Sequence, residues 1–248
     1  MINRQWQFAI IAGSGFREFG GDLEGDWHET PYGRPSGPIR TLRYDDHTVL
    51  FLPRHGDALT IPPHAINYRA NLQALRQLEV DAVVALNTVG VIAPHIHPGQ
   101  VAVPDQLIDY TSGRDHSIYD GGDTIDHIDF TQPFSDPLRN DLLAAAQRAD
   151  VPLHDGGVYA VTQGPRLETA AEVDRLERDG AELVGMTAMP EAALARELGM
   201  HYACLSLIVN YAAGRGDNPI HEELEASTMT AKMQAMKVLR EFFGATDE

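Results

Sequence analysis

The 248-residue sequence has few of the features that mark secreted or membrane-bound proteins. It contains one cysteine, Cys204, which excludes an internal disulfide and is compatible with a reducing compartment. No apolar run approaches the ~18 residues that a membrane span needs, and the first residues lack the long apolar segment of a secretory signal. We therefore expect a cytoplasmic protein with no membrane partner.

Basic residues are also scarce. The 19 Lys and Arg are outnumbered by 36 Asp and Glu, which gives a formal net charge of −17. A surface of this sign repels nucleic acid backbones, and no basic cluster with interleaved aromatic residues interrupts it, so we expect no nucleic acid partner. An anionic ligand would need a local group of cations and N–H donors to bind against the overall field.

Short apolar runs alternate with stretches of helical periodicity along the chain. The runs are brief, β-branched and bounded by turn residues, which indicates buried strands. Strands are predicted over residues 8–12, 49–52, 82–86, 101–103, 158–161 and 203–209, and helices over 68–78, 137–149, 170–177, 190–198 and 221–243. This alternation favours an α/β sandwich. We predict a single domain over residues 1–248, with a long functional loop over residues 109–133.

Three motifs at the ends of predicted strands carry donors suited to an anion. The glycines at 13–15 let the backbone approach closely, and Ser14 between them can donate its hydroxyl. Arg54 offers a planar fork and His55 a second donor beside it. Thr88 adds a hydroxyl and a backbone N–H where α/β folds place ligands. Each motif also has a simpler explanation: a tight turn for the glycines, a surface Arg-His pair for Arg54 and His55, and a polar strand end for Thr88.

Three later motifs carry groups suited to a nucleoside. Glu168 follows a Gly-Pro turn near the start of a predicted helix, where helix capping is the simple explanation. A carboxylate there could also accept from the N1–H of a 6-oxopurine, a proton that adenine lacks. Met186 offers a soft apolar surface, which core packing would also explain, and Thr187 a donor at a helix N-terminus. Asn210 ends a predicted strand with an amide that both donates and accepts.

Other chemistries fit the sequence poorly. His95 and His97 lack a third nearby ligand of suitable geometry, so we expect surface histidines and no metal site. A Ser/His/Asp hydrolase would need a Gly-x-Ser-x-Gly elbow, which the sequence does not contain. The glycine-rich turn also lacks the third glycine of a dinucleotide-binding motif.

Taken together and in this order, the motifs resemble the trimeric purine nucleoside phosphorylase and methylthioadenosine phosphorylase family, from Ile10 to about Leu239. Within it the chain is most similar to bacterial S-methyl-5'-thioinosine phosphorylases. The resemblance implies a three-layer sandwich with a mixed central β-sheet flanked by helices, assembled as a homotrimer. Inorganic phosphate would be a co-substrate, with no cofactor. The phosphate-binding residues that it implies are Ser14, Arg54, His55, Thr88 and Thr187.

The resemblance also implies a nucleoside site. Its substrate-binding residues would be Met186, Leu167, Glu168, Asn210, Ala212, His127 and His221, with catalytic roles for Asn210, Glu168 and His55. Methylthioadenosine phosphorylases carry two aspartates and a serine where this chain has Asn210, Ala212 and Glu168. Since the 6-oxopurine phosphorylases use Glu and Asn, we expect hypoxanthine or guanine as the base.

The group on the sugar's 5' carbon stays open at this point. A methylthio group needs an apolar pocket, whereas His221 resembles a histidine that binds the 5'-hydroxyl in inosine and guanosine phosphorylases. His127 matches a residue that reaches the neighbouring subunit's sugar pocket. The expected reaction converts S-methyl-5'-thioinosine and phosphate to hypoxanthine and 5-methylthioribose 1-phosphate. The alternatives are phosphorolysis of inosine and guanosine, then of methylthioadenosine, and a purine-binding module without catalysis.

Overall fold

The strands of the chain belong to one mixed sheet. The computed structural model describes residues 6–13, 16, 24–44, 47–122, 124–217 and 220–244, without the side chains of 220–223. In these ranges the strands are β1 Phe8–Ala12, β2 Gly25–Asp26, β3 Ile39–Tyr44, β4 His47–Pro53, β5 Ala82–Val91, β6 Val101–Val103, β7 Gln106–Asp109, β8 Leu153–Asp155, β9 Val158–Val161, β10 Leu183–Gly185 and β11 His201–Tyr211. The helices are α1 Tyr68–Gln77, α2 Asp136–Arg148, α3 Ala170–Arg178, α4 Ala188–Glu197 and α5 Ile220–Phe243.

The long strand β5 organises the sheet. The order β2-β3-β4-β1-β5-β10-β9-β7 runs across it, and β11 pairs with both β5 and β6, which in turn pairs with β8. Strands β4, β1, β5 and β11 are parallel, whereas β10 runs antiparallel to β5. Strands β1 and β4 end at the same level, and the longer strands β5 and β11 continue past it, so polar residues of all four can meet there.

Helices cover both faces of the sheet, which makes three layers. On one face Ala9 and Ile11 of β1 belong to a core cluster that contains Leu72 of α1 and Leu194 of α4. On the other face the alternate β1 residues, such as Ile10, join a cluster with α2 and α5. Successive side chains of a strand point to opposite faces. A strand that is buried on both faces therefore has a continuous apolar sequence.

These observations confirm the predicted α/β sandwich with a mixed sheet flanked by helices. The structure also contains strands that the periodicity missed, β2, β3, β7, β8 and β10. Strand β3 alternates buried and exposed side chains and carries two arginines, and β10 is only three residues long. Such strands form because neighbouring strands supply hydrogen bonds, which single-sequence patterns do not show. Across the described part of the chain, no helix is both long and apolar enough to cross a membrane.

Candidate active site

Gly13, Arg54 and Thr88, from the three motifs with donors suited to an anion, come together beside the ends of the parallel strands β1 and β4. Ala12 of β1 lies opposite Pro53 of β4 on one side and Leu86 of β5 on the other. Strands β1 and β4 end at this level, so Gly13 and Arg54 emerge at the edge of the sheet, whereas β5 continues to Val91 and carries Asn87 and Thr88 beyond them. A Cβ on Gly13 would lie 3.4 Å from the ring of His55 and 3.5 Å from the guanidinium of Arg54. The glycine thus leaves the backbone open to a ligand beside these two side chains.

A β-bulge at the end of β11 sets the position of Asn210. The pairing register shifts there, because Ile208 lies opposite Val89 while Asn210 lies opposite Gly90, which leaves Val209 as the extra residue. Bulges next to active sites commonly re-aim a side chain. Asn210 donates through Nδ2 to its neighbour's carbonyl at 2.6 Å, so its Oδ1 and second N–H remain for a ligand. A Cβ on Gly90 would lie 3.1 Å from that Nδ2 and would crowd the space.

Most of the candidate residues line one cavity of about 390 Å³, a volume that suits a small ligand. Those that line it are Arg54, His55, Thr88, Leu167, Glu168, Met186, Thr187, Asn210 and Ala212. His127 is exposed in the loop before α2 and is not among the lining residues. Ser14 and the side chain of His221 lie outside the described residues. Of the candidate residues that the structure describes, all except His127 therefore line the same cavity.

Arg54 is completely buried and paired. Its Nε and Nη2 donate to the two carboxylate oxygens of Glu191, each at 2.8 Å, and neither side chain is exposed. Nη1 donates to the carbonyl of Leu86 at 2.8 Å, and Nη2 also reaches Ile11 O at 3.3 Å. Burial alone would lower the pKa of Arg54, but the Glu191 carboxylate raises it above its ordinary value. One N–H of Nη1 is left for an anion. Arg54 can therefore donate one hydrogen bond to the anion, whereas a bidentate guanidinium would donate two.

His55 has one ring nitrogen fixed by the fold. Its Nδ1 lies 2.8 Å from Ile61 O, and a carbonyl can only accept, so Nδ1 carries a proton. Burial lowers the pKa of His55, and the positive charge of Arg54 lowers it further, against the opposing effect of the Ile61 carbonyl. The neutral ring therefore prevails at pH 7, and its Nε2 can accept a hydrogen bond from a protonated ligand oxygen; His55 is not the second donor that the sequence suggested.

Glu168 is held by a side chain rather than by a helix end. Its Oε1 accepts from the hydroxyl of Thr162 at 2.6 Å. The N-terminus of α3 is capped by Thr169, whose side chain and that of Glu172 form a reciprocal capping box. Capping therefore does not explain Glu168, and its second oxygen remains for a donor in the cavity.

A buried polar chain continues behind the cavity from Glu191. Tyr202 donates to that carboxylate at 2.8 Å, and Asn87 donates to Cys204 at 3.2 Å. Burial raises the pKa of Cys204 to about 12, so this cysteine is a thiol at neutral pH and no nucleophile. Asn87 lines the cavity, and its buried Oδ1 has no hydrogen-bond partner among the residues that the structure describes. Thr88, the next residue, was predicted from the sequence as a ligand-binding residue, but the Asn87 acceptor was not.

Arg114 is a second residue that the motifs did not reveal. It lies in the predicted long loop, whose described residues between 110 and 133 form no helix or strand. Its guanidinium donates to the carbonyls of Met186 at 2.8 Å and Gln163 at 2.9 Å, and also to Met189 and Thr162. Arg114 thus ties together the two segments that carry Met186 and Glu168. Only its position in a Ser/Gly/Asp-rich loop would have suggested it.

We expect Arg114→Lys to lower the free energy of unfolding by about 1–3 kcal/mol, because an ammonium cannot satisfy carbonyls on two segments at once. The catalytic efficiency should fall as well, since both segments line the cavity and would shift. Urea unfolding and steady-state kinetics measure the two effects. Arg175→Lys, at an exposed arginine, is the matched control and should stay within about 0.5 kcal/mol. Equal effects of the two substitutions would contradict the clamp.

Comparison with known proteins identifies the family of the chain. The model described as the phosphorylase superfamily matches residues 7–244. "Probable S-methyl-5'-thioinosine phosphorylase" of Xanthomonas campestris pv. campestris is 51% identical over 220 residues, 88% of each chain. "6-oxopurine nucleoside phosphorylase" of Pyrococcus furiosus is 41% identical over 226 residues, 88% of this chain and 84% of the relative.

Solved structures agree. Methylthioadenosine phosphorylase from Schistosoma mansoni in complex with adenine superposes with a TM-score of 0.90 at 26% identity, over 96% of this chain and 91% of that one. The family model, the similar sequences and the shared fold agree, and the chain belongs to the phosphorylase superfamily.

Proposed function

We propose that this chain is a purine nucleoside phosphorylase, a pentosyltransferase that cleaves 6-oxopurine nucleosides with inorganic phosphate. Its preferred substrate would be S-methyl-5'-thioinosine, giving hypoxanthine and 5-methylthioribose 1-phosphate for purine salvage. The observation that carries the proposal is that Glu168 and Asn210 line the same cavity as Arg54, His55 and Thr88. The names of the relatives in Xanthomonas campestris and Pyrococcus furiosus support it.

The base would be read by Glu168 and Asn210. A free Glu168 oxygen accepts from N1–H of a 6-oxopurine, while the Asn210 amide contacts the N7 and O6 region. Adenine carries no N1 proton, so it would leave the carboxylate without a partner, and buried polar groups left unpaired reject a ligand strongly. Ala212 and Leu167 would cover the ring as apolar neighbours.

The phosphate would lie at the strand ends. Arg54 supplies a fixed positive charge and one N–H, His55 offers Nε2, and Thr88 and Thr187 offer hydroxyl and backbone donors. Thr187 directly precedes α4, its side chain does not cap the helix, and Met189 interrupts the helical backbone of the first turn, so Thr187 contributes its own hydroxyl and N–H. Asn87 Oδ1 would accept from a protonated phosphate oxygen. In an acidic protein, this local group is what an anion requires.

The chemistry follows from the charges that develop. As the glycosidic bond stretches, the sugar becomes oxocarbenium-like and the purine gains electrons. Hydrogen bonds from Asn210 strengthen as N7 and O6 become more basic, so they stabilise the transition state more than the ground state. Phosphate beneath C1' captures the sugar cation. The enzyme needs positioning rather than a metal or an organic cofactor.

The 5' side of the cavity favours a methylthio group. Pro63, Leu224 and Met186 line the cavity with apolar surface, which would suit the thioether of a 5'-methylthio group. We further propose a cytoplasmic homotrimer in which His127, exposed here, reaches a neighbouring subunit's sugar.

A base-release assay tests the proposal. The enzyme is incubated with S-methyl-5'-thioinosine, inosine, guanosine and methylthioadenosine, each with and without phosphate. We expect phosphate-dependent hypoxanthine release, fastest from S-methyl-5'-thioinosine. Faster cleavage of inosine or guanosine would establish the 5'-hydroxyl alternative instead. Release without phosphate would indicate a hydrolase, and binding without cleavage would indicate a non-catalytic purine-binding module.

A further inference from the structure

Two histidines and a glutamate converge outside the active cavity. His95 lies in the turn after β5, His154 on β8, and Glu182 immediately before β10. One ligand atom from each lies within 4.8 Å of the other two. His154 Nε2 and Glu182 Oε2 are 3.1 Å apart, and the two imidazole centroids are 5.5 Å apart. None of the three residues lines the proposed active cavity.

The backbone holds this triad in place from several sides. The carbonyl of Glu182 accepts from the N–H groups of Ile92 and Ala93 at 2.8 and 3.2 Å, which ties it to the turn that carries His95. Gly157 lies beneath the two other ligands with a φ of +94°. A Cβ there would lie 2.4 Å from Glu182 Oε2 and 3.3 Å from His154 Nε2. Only glycine leaves room for both side chains at this position.

We propose that His95, His154 and Glu182 form a binding site for a divalent transition metal such as Zn²⁺. Two imidazoles and a carboxylate are ligands that Zn²⁺ takes, with water in the fourth position. Tetrahedral ligands lie roughly 3.3 Å apart, a spacing that the His154–Glu182 pair already has and that rotation of exposed His95 completes. The metal replaces the proton on His154 Nε2, which moves to Nδ1 or to solvent.

The proposed site departs from an expectation drawn from the sequence. His95 and His97 were expected to be unligated surface histidines because no third ligand lies near them in sequence. Both are exposed, but the structure brings His154 and Glu182, 59 and 87 residues further along the chain, to His95 alone. His97 instead faces Tyr211, whose hydroxyl lies 3.0 Å from its Nδ1. A bound metal would cross-link the His95 turn, β8 and the start of β10, and so stabilise the folded chain.

Isothermal titration of the untagged, chelator-treated full chain with ZnCl₂ tests the site. We expect one saturable site per chain, a rise in melting temperature on adding Zn²⁺, and visible absorption of tetrahedral Co²⁺ in its place. His95→Ala and Glu182→Gln should each weaken Zn²⁺ binding by at least about 10-fold, since even outer-sphere partners of metal ligands are worth that much. His95 is exposed and its replacement should fold normally.

His97→Ala is the matched control, because it removes a neighbouring exposed histidine outside the triad. It should leave Zn²⁺ affinity and the Co²⁺ spectrum unchanged. The site would be refuted if the unsubstituted chain showed no saturable binding. It would equally be refuted if His97→Ala weakened binding as much as His95→Ala, because the metal would then lie on the His-x-His pair.

Discussion

Replacing Glu191 by Ala is expected to lower the free energy of unfolding by about 3–5 kcal/mol, the usual result of removing one partner of a buried ion pair. The guanidinium of Arg54 would remain fully buried without its countercharge, because Glu191 supplies both carboxylate contacts and neither side chain is exposed. The hydroxyl of Tyr202, which donates to the same carboxylate, would lose its acceptor as well.

Urea unfolding of the unsubstituted protein and of the Glu191→Ala variant measures this loss of stability. Glu241→Ala is the matched control, since Glu241 pairs with Arg148 on the surface and exposed pairs are worth about 0–1 kcal/mol. Glu191→Gln keeps the shape and part of the hydrogen bonding but not the charge, so its loss should lie between the two. A Glu191→Ala protein as stable as Glu241→Ala would show that Arg54 finds other compensation.

The ion pair also changes how Arg54 acts on phosphate. The sequence suggested a free fork for bidentate anion binding, whereas the structure commits most of the guanidinium N–H groups to Glu191 and two carbonyls. In the proposed phosphate complex Arg54 therefore contributes a fixed charge and one hydrogen bond, while the other hydrogen bonds to phosphate would come from backbone N–H groups, hydroxyls and His55. This arrangement is preorganised, because its charge does not reorient when the anion enters.

The sequence predicted the residues on strand ends well, for a physical reason. Arg54, Thr88 and Asn210 each follow a buried apolar run, and they meet because these runs belong to parallel strands; Thr88 and Asn210 themselves lie inside β5 and β11, which extend beyond the predicted ends at 86 and 209. The β-bulge that aims Asn210 left no signal, because it depends on how β11 registers against β5. Glu168 was identified by its chemistry, yet Thr162, which holds it, follows only from the fold.

Residues that act through distant partners could not be identified in the same way. Glu191 in the first turn of a helix is typical of ordinary dipole stabilisation, and only the fold shows that it neutralises an arginine 137 positions away. Arg114 in a polar loop, and Glu182 before a three-residue strand, likewise acquire their partners only through tertiary contacts. The strands that the periodicity missed share this origin, since neighbours rather than local propensity stabilise them.

Asn210→Ala is expected to lower kcat by about 100- to 1,000-fold, roughly 2.7–4 kcal/mol, if the amide acts as a single preorganised donor to the departing base. The amide strengthens its contacts as the purine gains electrons, so kcat and kcat/KM for the nucleoside should fall together. The KM for phosphate should change little, because Asn210 lies beside the bulge of β11, while the proposed phosphate donors follow β1 and β4, lie on β5 or precede α4.

Steady-state kinetics with phosphate varied at saturating S-methyl-5'-thioinosine separates these effects. Asn210→Asp is the informative partner variant, since it keeps the size of the side chain but removes the N–H donors; it should be nearly as impaired as Asn210→Ala on a 6-oxopurine. Unfolding of both variants should stay close to that of the unsubstituted enzyme, as Asn210 is only half-buried. An unchanged kcat in Asn210→Ala would assign the stabilisation of the leaving base to another group, and a raised phosphate KM with normal kcat would place Asn210 at the wrong end of the cavity.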